Sequence, residues 1–294
     1  MNKRSTGEKI FAVFNTIFLL MLCIIFFLPV WHVAMGSISD PLKVAATSGL
    51  YFKPLGKITL GGYKLIMQNS TILRAYGNTI IYVVAATLLG LFLNILAAYV
   101  MSTRGLMLGK PVALFGIFTM IFNGGRVATC RVVNKLGMMD TRWALIIPGA
   151  LSAYNIIIMR TSFAEIPKEM LEAARIDGAS EIKILTRIIL PVSKSIIAVI
   201  VLFYAVQHWN SWFNAALYLQ KSRNLYPLQL TLREIVLQST ENAIVADADG
   251  QDVMIYRPLI KYATIMISII PMMILYPFVQ KYFVTGVMIG SVKG

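Results

Sequence analysis

The stretch EAARIDGASEIKILTRIILP, residues 172–191, places six charged side chains between two long apolar runs. Its pattern predicts two short helices with a break between them. Pro167 suits the start of the first, where a proline forfeits no intrahelical donor. Gly178 suits its end, where a left-handed residue is wanted, and the Ser180 hydroxyl can cap the second. The segment is expected to fold as a projection, which raises the question of what it touches.

The runs on either side define the solvent. Of 294 residues 57% are hydrophobic and only 14% charged, and the mean hydropathy is +0.72, too high for an ordinary water-soluble domain. A spanning helix needs about 20 mostly apolar residues, and six such runs occur, at 10–36, 76–101, 111–130, 143–160, 195–218 and 262–285. None alternates apolar with polar residues as a barrel strand does. The expected fold is an all-α integral membrane protein, one domain over residues 1–294, with six transmembrane helices. A loop at 161–194 then lies on one side, and two long loops, 37–75 and 219–261, on the other. The first run follows a basic leader (Lys3, Arg4, Lys9) and ends near Ala34, Met35 and Gly36, but its apolar core is too long for a cleavable signal. Lys and Arg divide 13 to 14 between the two sides, so raw counting does not orient the chain. Long loops are largely exempt from the positive-inside rule, and the basic leader favours an inner N-terminus, hence both termini cytoplasmic.

Several function classes are excluded by what the residues lack. Cys23 and Cys130 fall in different runs, giving no disulfide framework and no metal spacing. The net charge of +14 comes without a basic run interleaved with aromatics, so no nucleic-acid partner is expected. Ion-coupled carriers place carboxylates at membrane depth, whereas none of the six runs contains Asp or Glu. GLMLGKP, residues 105–111, is one residue short of a phosphate loop and has Pro where Ser or Thr would bind magnesium. No HExxH or GxSxG occurs, and His32 and His208 are the only histidines, so no catalytic residues and no enzyme are expected. DADGQD, residues 247–252, lacks the remaining ligands of a calcium loop. Uphill transport by this chain requires energy from another subunit.

Glu172, Ala173, Ala174, then Gly178, then Ile188, Leu190 and Pro191 resemble the EAA signature of importer permeases in the ATP-binding-cassette superfamily. The likeness extends through IIPGALSAYNIIIMRTSF, IPKEMLEAARIDGAS, HWNSWFNAALYL, YPLQLTLREI and the terminal GSVKG. It is nearest to the carbohydrate-importer permeases of the maltose type, in the branch serving oligosaccharides cut from complex polysaccharides; a permease of the same superfamily for another nutrient is the alternative. The resemblance implies the type I importer permease fold in a bacterial inner membrane, with the 161–194 loop cytoplasmic. It also implies a heterodimer with a second permease, two ATPase subunits that hold ATP and Mg, an external sugar-binding protein and no cofactor on this chain. Glu172, Ala173, Ala174, Asp177 and Gly178 would dock the ATPase, and Lys293 and Gly294 would reach between the ATPase subunits. A terminus frayed into solvent is the alternative for the last two, and a loop lying on the lipid headgroups the alternative for the first five.

Sugars are held by polar groups on their hydroxyls and aromatic faces against ring C–H groups. In the fifth run Tyr204, His208 and Trp212 recur every fourth residue, and Asn210 and Asn214 repeat that spacing, predicting two adjacent stripes on one helix. They suit either a substrate pathway or packing between helices. Asn123, Gly124 and Gly125 mark a break near the end of the third run, followed by Arg126 and Arg131. Arginine at membrane depth needs water or a partner, and its planar fork suits a carboxylate, so an acidic oligosaccharide such as a uronide is one expectation. Snorkelling to headgroups is the other.

Overall fold

The computed structural model describes residues 5–103, 109–122, 124–237 and 250–291. Asn123, Lys293 and Gly294 lie outside the described residues, as do residues 105–108 of GLMLGKP and 247–249 of DADGQD. The described residues form helices and connections, with no strand among them, and the chain divides into two compact units.

The first unit comprises Met1–Leu73 and Glu234–Ile270. Its longest element, α1 (Thr6–Ser37), opens on a capping box between Ser5 and Glu8 and is apolar on every side, as a helix in lipid or among other helices must be. The segment expected as a long loop is folded: α2 (Pro41–Ala46) is capped by Asp40, whose carboxylate accepts from Leu42 N at 3.0 Å, and α3 (Gly61–Gln68) follows. Gly36 and Gly62 let α1 and α3 approach the first part of α15 (Gly250–Ser291), since an added Cβ would stand 3.1 Å from the Tyr262 ring and 3.0 Å from Leu259. His32 is structural here. Its Nδ1 accepts from Tyr51 N at 3.0 Å, and its ring meets Tyr51 and Tyr262.

The second unit comprises Arg74–Arg233 and Pro271–Gly294. The unbroken α4 (Ser70–Ser102) supplies most of its length from residue 74 onward. Three of the expected straight spans are broken. The run at 111–130 becomes α5 (Gly109–Ile121) and α6 (Gly125–Lys135), meeting at 115°, because Gly125 adopts φ +83°, outside helical geometry. The run at 143–160 becomes a one-turn α7 (Trp143–Ile146) and α8 (Ala153–Ala164). Pro148 and Gly149 stop the first helix, and Ser152 starts the second by accepting from Asn155 N at 3.3 Å. The run at 195–218 becomes α12 (Lys194–Trp209) and α13 (Phe213–Tyr218). At that break Asn210 turns its amide back onto Val206 O at 3.0 Å, the local competition by which asparagine ends helices. Among the described residues Thr6–Ser37, Ser70–Ser102 and Pro258–Pro277 are long and apolar enough to cross a membrane; counting two bent pairs as spans raises this to five.

Residues 161–194 are anchored as well as projecting. Between α8 and α12 run α9 (Lys168–Ile176), α10 (Glu181–Ile184), a π-helical turn (Leu185–Ile189) and α11 (Leu190–Val192). Ile184, Leu185 and Ile189 are buried in one core with Ala98 of α4, Met159 and Phe163 of α8, and Ile200 and Tyr204 of α12. Burying aliphatic side chains such as these is worth about 1.5 to 3 kcal/mol each, which holds the segment against the spans while most of α9, the following turn and the first residues of α10 stay exposed. From α13 the chain continues through a 3₁₀ turn (Arg223–Leu225) into α14 (Leu228–Leu237).

Candidate coupling loop and basic cavity

The loop forms as its residues dictate. Pro167 stands before α9, Glu169 lies in its first turn and Arg175 in its last, each charge matched to its end of the helix dipole. Gly178 N donates to Arg175 O at 3.0 Å and Ala179 N to Ala174 O at 2.9 Å, which closes the helix only because Gly178 takes φ +74°. Ser180 then caps α10, its Oγ accepting from Lys183 N at 3.4 Å. No residue of α9 is buried. Leu171 and Ala174 lean on the core, while Glu172, Ala173, Asp177 and Gly178 are exposed. Ile176 and Ile182 flank the turn at 86% and 75% exposure, so the loop presents an apolar and acidic surface with little of its own fold to cover it.

Three side chains that the sequence pattern does not single out brace this turn. Arg175 donates to Glu181 through Nε at 3.0 Å and a terminal nitrogen at 3.4 Å, and Tyr99 of α4 donates its hydroxyl to the same carboxylate. Arg175 first, then Tyr99, holds the Glu181 carboxyl below the usual range, and Glu181 raises Arg175 in return. Arg175 and Glu181 are six residues apart, a spacing at which side chains on a continuous helix do not meet. Only the turn at Gly178 brings them together.

The residues expected from the fifth run part company. Tyr204 is fully buried, its hydroxyl donating to Ala150 O at 2.9 Å and accepting from Asn94 Nδ2. His208, one turn on, stacks at 6.2 Å on Tyr204 and is buried beside Gly149. The stripe ends there because the helix does: Trp212 lies beyond the break beneath the Arg233 guanidinium at 3.9 Å, and Asn210 is turned onto its own helix. Asn214, on α13, accepts from Arg126 of α6 at 3.4 Å.

That contact opens a second site. The Arg126 guanidinium lies 4.3 Å from the centre of the Phe213 ring, a cation–π distance. Arg126, Arg131, Lys221, Asp140, Phe213 and Gln220 line one cavity of about 540 Å³. Asp140 does not neutralise its neighbours' side chains; it accepts from Lys221 N at 2.7 Å and Ser222 N at 3.0 Å. Among the described residues Arg175–Glu181 is the only ion pair, so the two arginines and Lys221 face the cavity unpaired by carboxylate. The sequence pattern points to both arginines but not to Phe213, the first residue of α13, or to Lys221, in the non-helical segment after it. Among the described residues no cluster of His, Cys, Asp and Glu could hold a metal ion.

An all-helical chain with a braced, exposed loop after a broken span can be set beside known proteins. Residues 106–289 match the binding-protein-dependent transport system inner membrane component. The chain belongs to that family. The permease is 38% identical over 286 residues to protein LplC of Bacillus subtilis, covering 97% of this chain and 96% of the relative. It is 37% identical over 277 residues to the polygalacturonan/rhamnogalacturonan transport system permease protein YtcP of the same organism, covering 94% and 96%. Among solved structures it is similar to a chain of a bacterial ABC transporter involved in the import of the acidic polysaccharide alginate, with a TM-score of 0.86 and 29% identity over 96% of the permease and 100% of that chain. The protein is therefore a multi-pass membrane permease of an importer, a transport subunit whose fold is that of the type I permeases.

Proposed function

We propose that this permease forms half of the membrane pathway for an acidic oligosaccharide, and that the other half is a second permease. The observation that supports this is the cavity in which Arg126, Arg131 and Lys221 stand unpaired by carboxylate around the Phe213 ring. Guanidinium forks suit the planar carboxylate of a uronate, and an aromatic face suits the apolar side of a sugar ring. The names of YtcP and of the alginate importer point the same way. In this reading two ATPase subunits hold ATP and Mg, dock on Glu172, Ala173, Ala174, Asp177 and Gly178, and drive alternating access. Lys293 and Gly294 reach toward them, an external sugar-binding protein delivers the substrate, and this chain carries no cofactor. Both termini and residues 161–194 then lie on the cytoplasmic side.

The test is uptake by the assembled transporter in proteoliposomes, comparing oligogalacturonate and alginate oligosaccharides with maltotriose. Arg126→Ala and Arg131→Ala are expected to lower acidic uptake by about tenfold each, the scale of one charge-assisted contact, and to leave neutral uptake unchanged. Equal losses on neutral and acidic sugars would sink the charge argument.

A further inference from the structure

We propose that α4 delivers the loop's displacement to the broken helix of residues 143–164, with Tyr99 and Asn94 as its two positioning residues. The proposal rests on the reading of residues 167–191 as the ATPase-docking loop. At one end, Tyr99 donates to Glu181, the first residue of α10, which Arg175 of α9 holds across the Gly178 turn. One side chain of a membrane helix thus touches the point where both helices of the loop are tied together. Five residues earlier on α4, about 7.5 Å of helical rise, Asn94 is fully buried. Its Nδ2 donates to Gly90 O on its own helix at 2.6 Å and to the Tyr204 hydroxyl, which in turn donates to Ala150 O at 2.9 Å; Ala150 O also lies 3.3 Å from Nδ2. Ala150 lies in the break between α7 and α8. Gly90, one turn further, sets the same close approach, since a Cβ there would stand 2.8 Å from the Tyr204 ring and 3.0 Å from Ala150 O.

The two contacts matter together because of what joins them. The covalent route from α10 to α12 is not a straight helix: it passes through a π-helical turn at Leu185–Ile189 and an 84° bend. Helix α4 has no break from Ser70 to Ser102, and on this proposal it moves over this span as a rod. Push Glu181, and the carbonyl of Ala150 must follow through Tyr99 and Asn94, or one of these hydrogen bonds must break. In the low dielectric around Asn94 a broken bond leaves a buried polar group unsatisfied.

The experiment uses the full transporter with its ATPase subunits and binding protein, with Cys23 and Cys130 replaced. Nitroxides are placed at the exposed Ile182 and Leu151, and the distance is read by double electron–electron resonance without nucleotide and after trapping with ATP and vanadate. In the wild type the two labels move together, and the distance stays narrow and unchanged. Tyr99→Phe and Asn94→Leu decouple them, so the distance broadens and shifts on trapping, with transport per ATP falling about fivefold or more, the lower edge of ordinary coupling between sites. Glu181→Leu, which removes the acceptor of Tyr99, behaves like Tyr99→Phe. A Tyr99→Phe transporter whose distances match the wild type in both states would overturn the proposal, as would loss of its ATPase subunits on purification. Failure of the underlying reading is separate: it is seen if Glu172→Arg still co-purifies with the ATPase, whatever Tyr99 does.

Discussion

At Gly178 the backbone sits at φ +74°, and a methyl group added there would meet nothing of this chain within 4 Å, so within the permease an alanine acts through conformation. The left-handed region costs most residues roughly 1 to 2 kcal/mol, less for asparagine. Gly178→Ala is therefore expected to weaken ATPase association by about tenfold, Gly178→Asn by less, and titration of the purified permease with ATPase subunits should give that order. Glu181 brings a pH dependence of definite sign. Its pKa is lowered in the folded loop, by Arg175 first and Tyr99 second, so its contribution is present above the ordinary carboxylate range and lost as pH falls through the depressed value. A nitroxide at Ile176 should report a mobile turn at low pH and an ordered one at neutral pH. Glu181→Gln should flatten that profile. The pair is half exposed, so the effect is on loop order and not on global stability.

Among the elements, helix α4 meets its neighbours through a glycine, and that contact predicts a stability effect. Gly90→Ala forces a methyl to 2.8 Å from the Tyr204 ring, and overpacking of this kind costs about 1 to 3 kcal/mol. A lower thermal midpoint in detergent is expected, partly recovered in the double variant with Tyr204→Leu, while Gly77→Ala on the same helix, open within 4 Å, gains helix propensity and does not lower the midpoint. The sequence was legible where local chemistry decided the outcome: Pro167, Gly178 and Ser180 marked the loop's two helices and the break between them. It was less legible where a long apolar run was bent. Hydropathy reports only that a segment is apolar, and it merged α5 with α6, α7 with α8, and α12 with α13. The signals of those breaks were present as Gly124 and Gly125, Pro148 and Gly149, and Asn210 and Ser211, but in a membrane such residues are also tolerated inside helices when neighbours satisfy the freed groups. The same bends explain the site. A four-residue repeat placed Tyr204, His208 and Trp212 on one face, whereas the break at Asn210 leaves the first two in the interior and carries Phe213 and Asn214 toward Arg126, and no spacing rule joins residues 126 and 214.

For the molecule as a whole, the net charge of +14 says little about where substrate goes, because charges separated by more than a Debye length, about 10 Å at 0.1 M salt, are screened from one another. What counts for an acidic oligosaccharide is the local set at one cavity, Arg126, Arg131 and Lys221. With Asp140 also in the lining the cavity is net cationic, and a concave site with an excess of one sign concentrates the opposite sign and raises encounter rates, an effect that fades with ionic strength. Uptake of an acidic oligosaccharide below saturation should therefore fall several-fold between about 0.05 and 0.5 M salt, a range over which the screening length shrinks severalfold, while uptake of a neutral sugar of equal length stays level. Lys221→Ala separates cavity from background. It removes one charge in 27 Lys and Arg, so a whole-molecule field would barely register the change, but the field of a cavity lined by three cations and Asp140 would lose a large share of its source and the salt dependence would become visibly shallower. An unchanged slope in Lys221→Ala would place the attraction elsewhere on the importer, on the second permease or the binding protein, and would leave Arg126 and Arg131 as orienting groups that act only once the sugar has arrived.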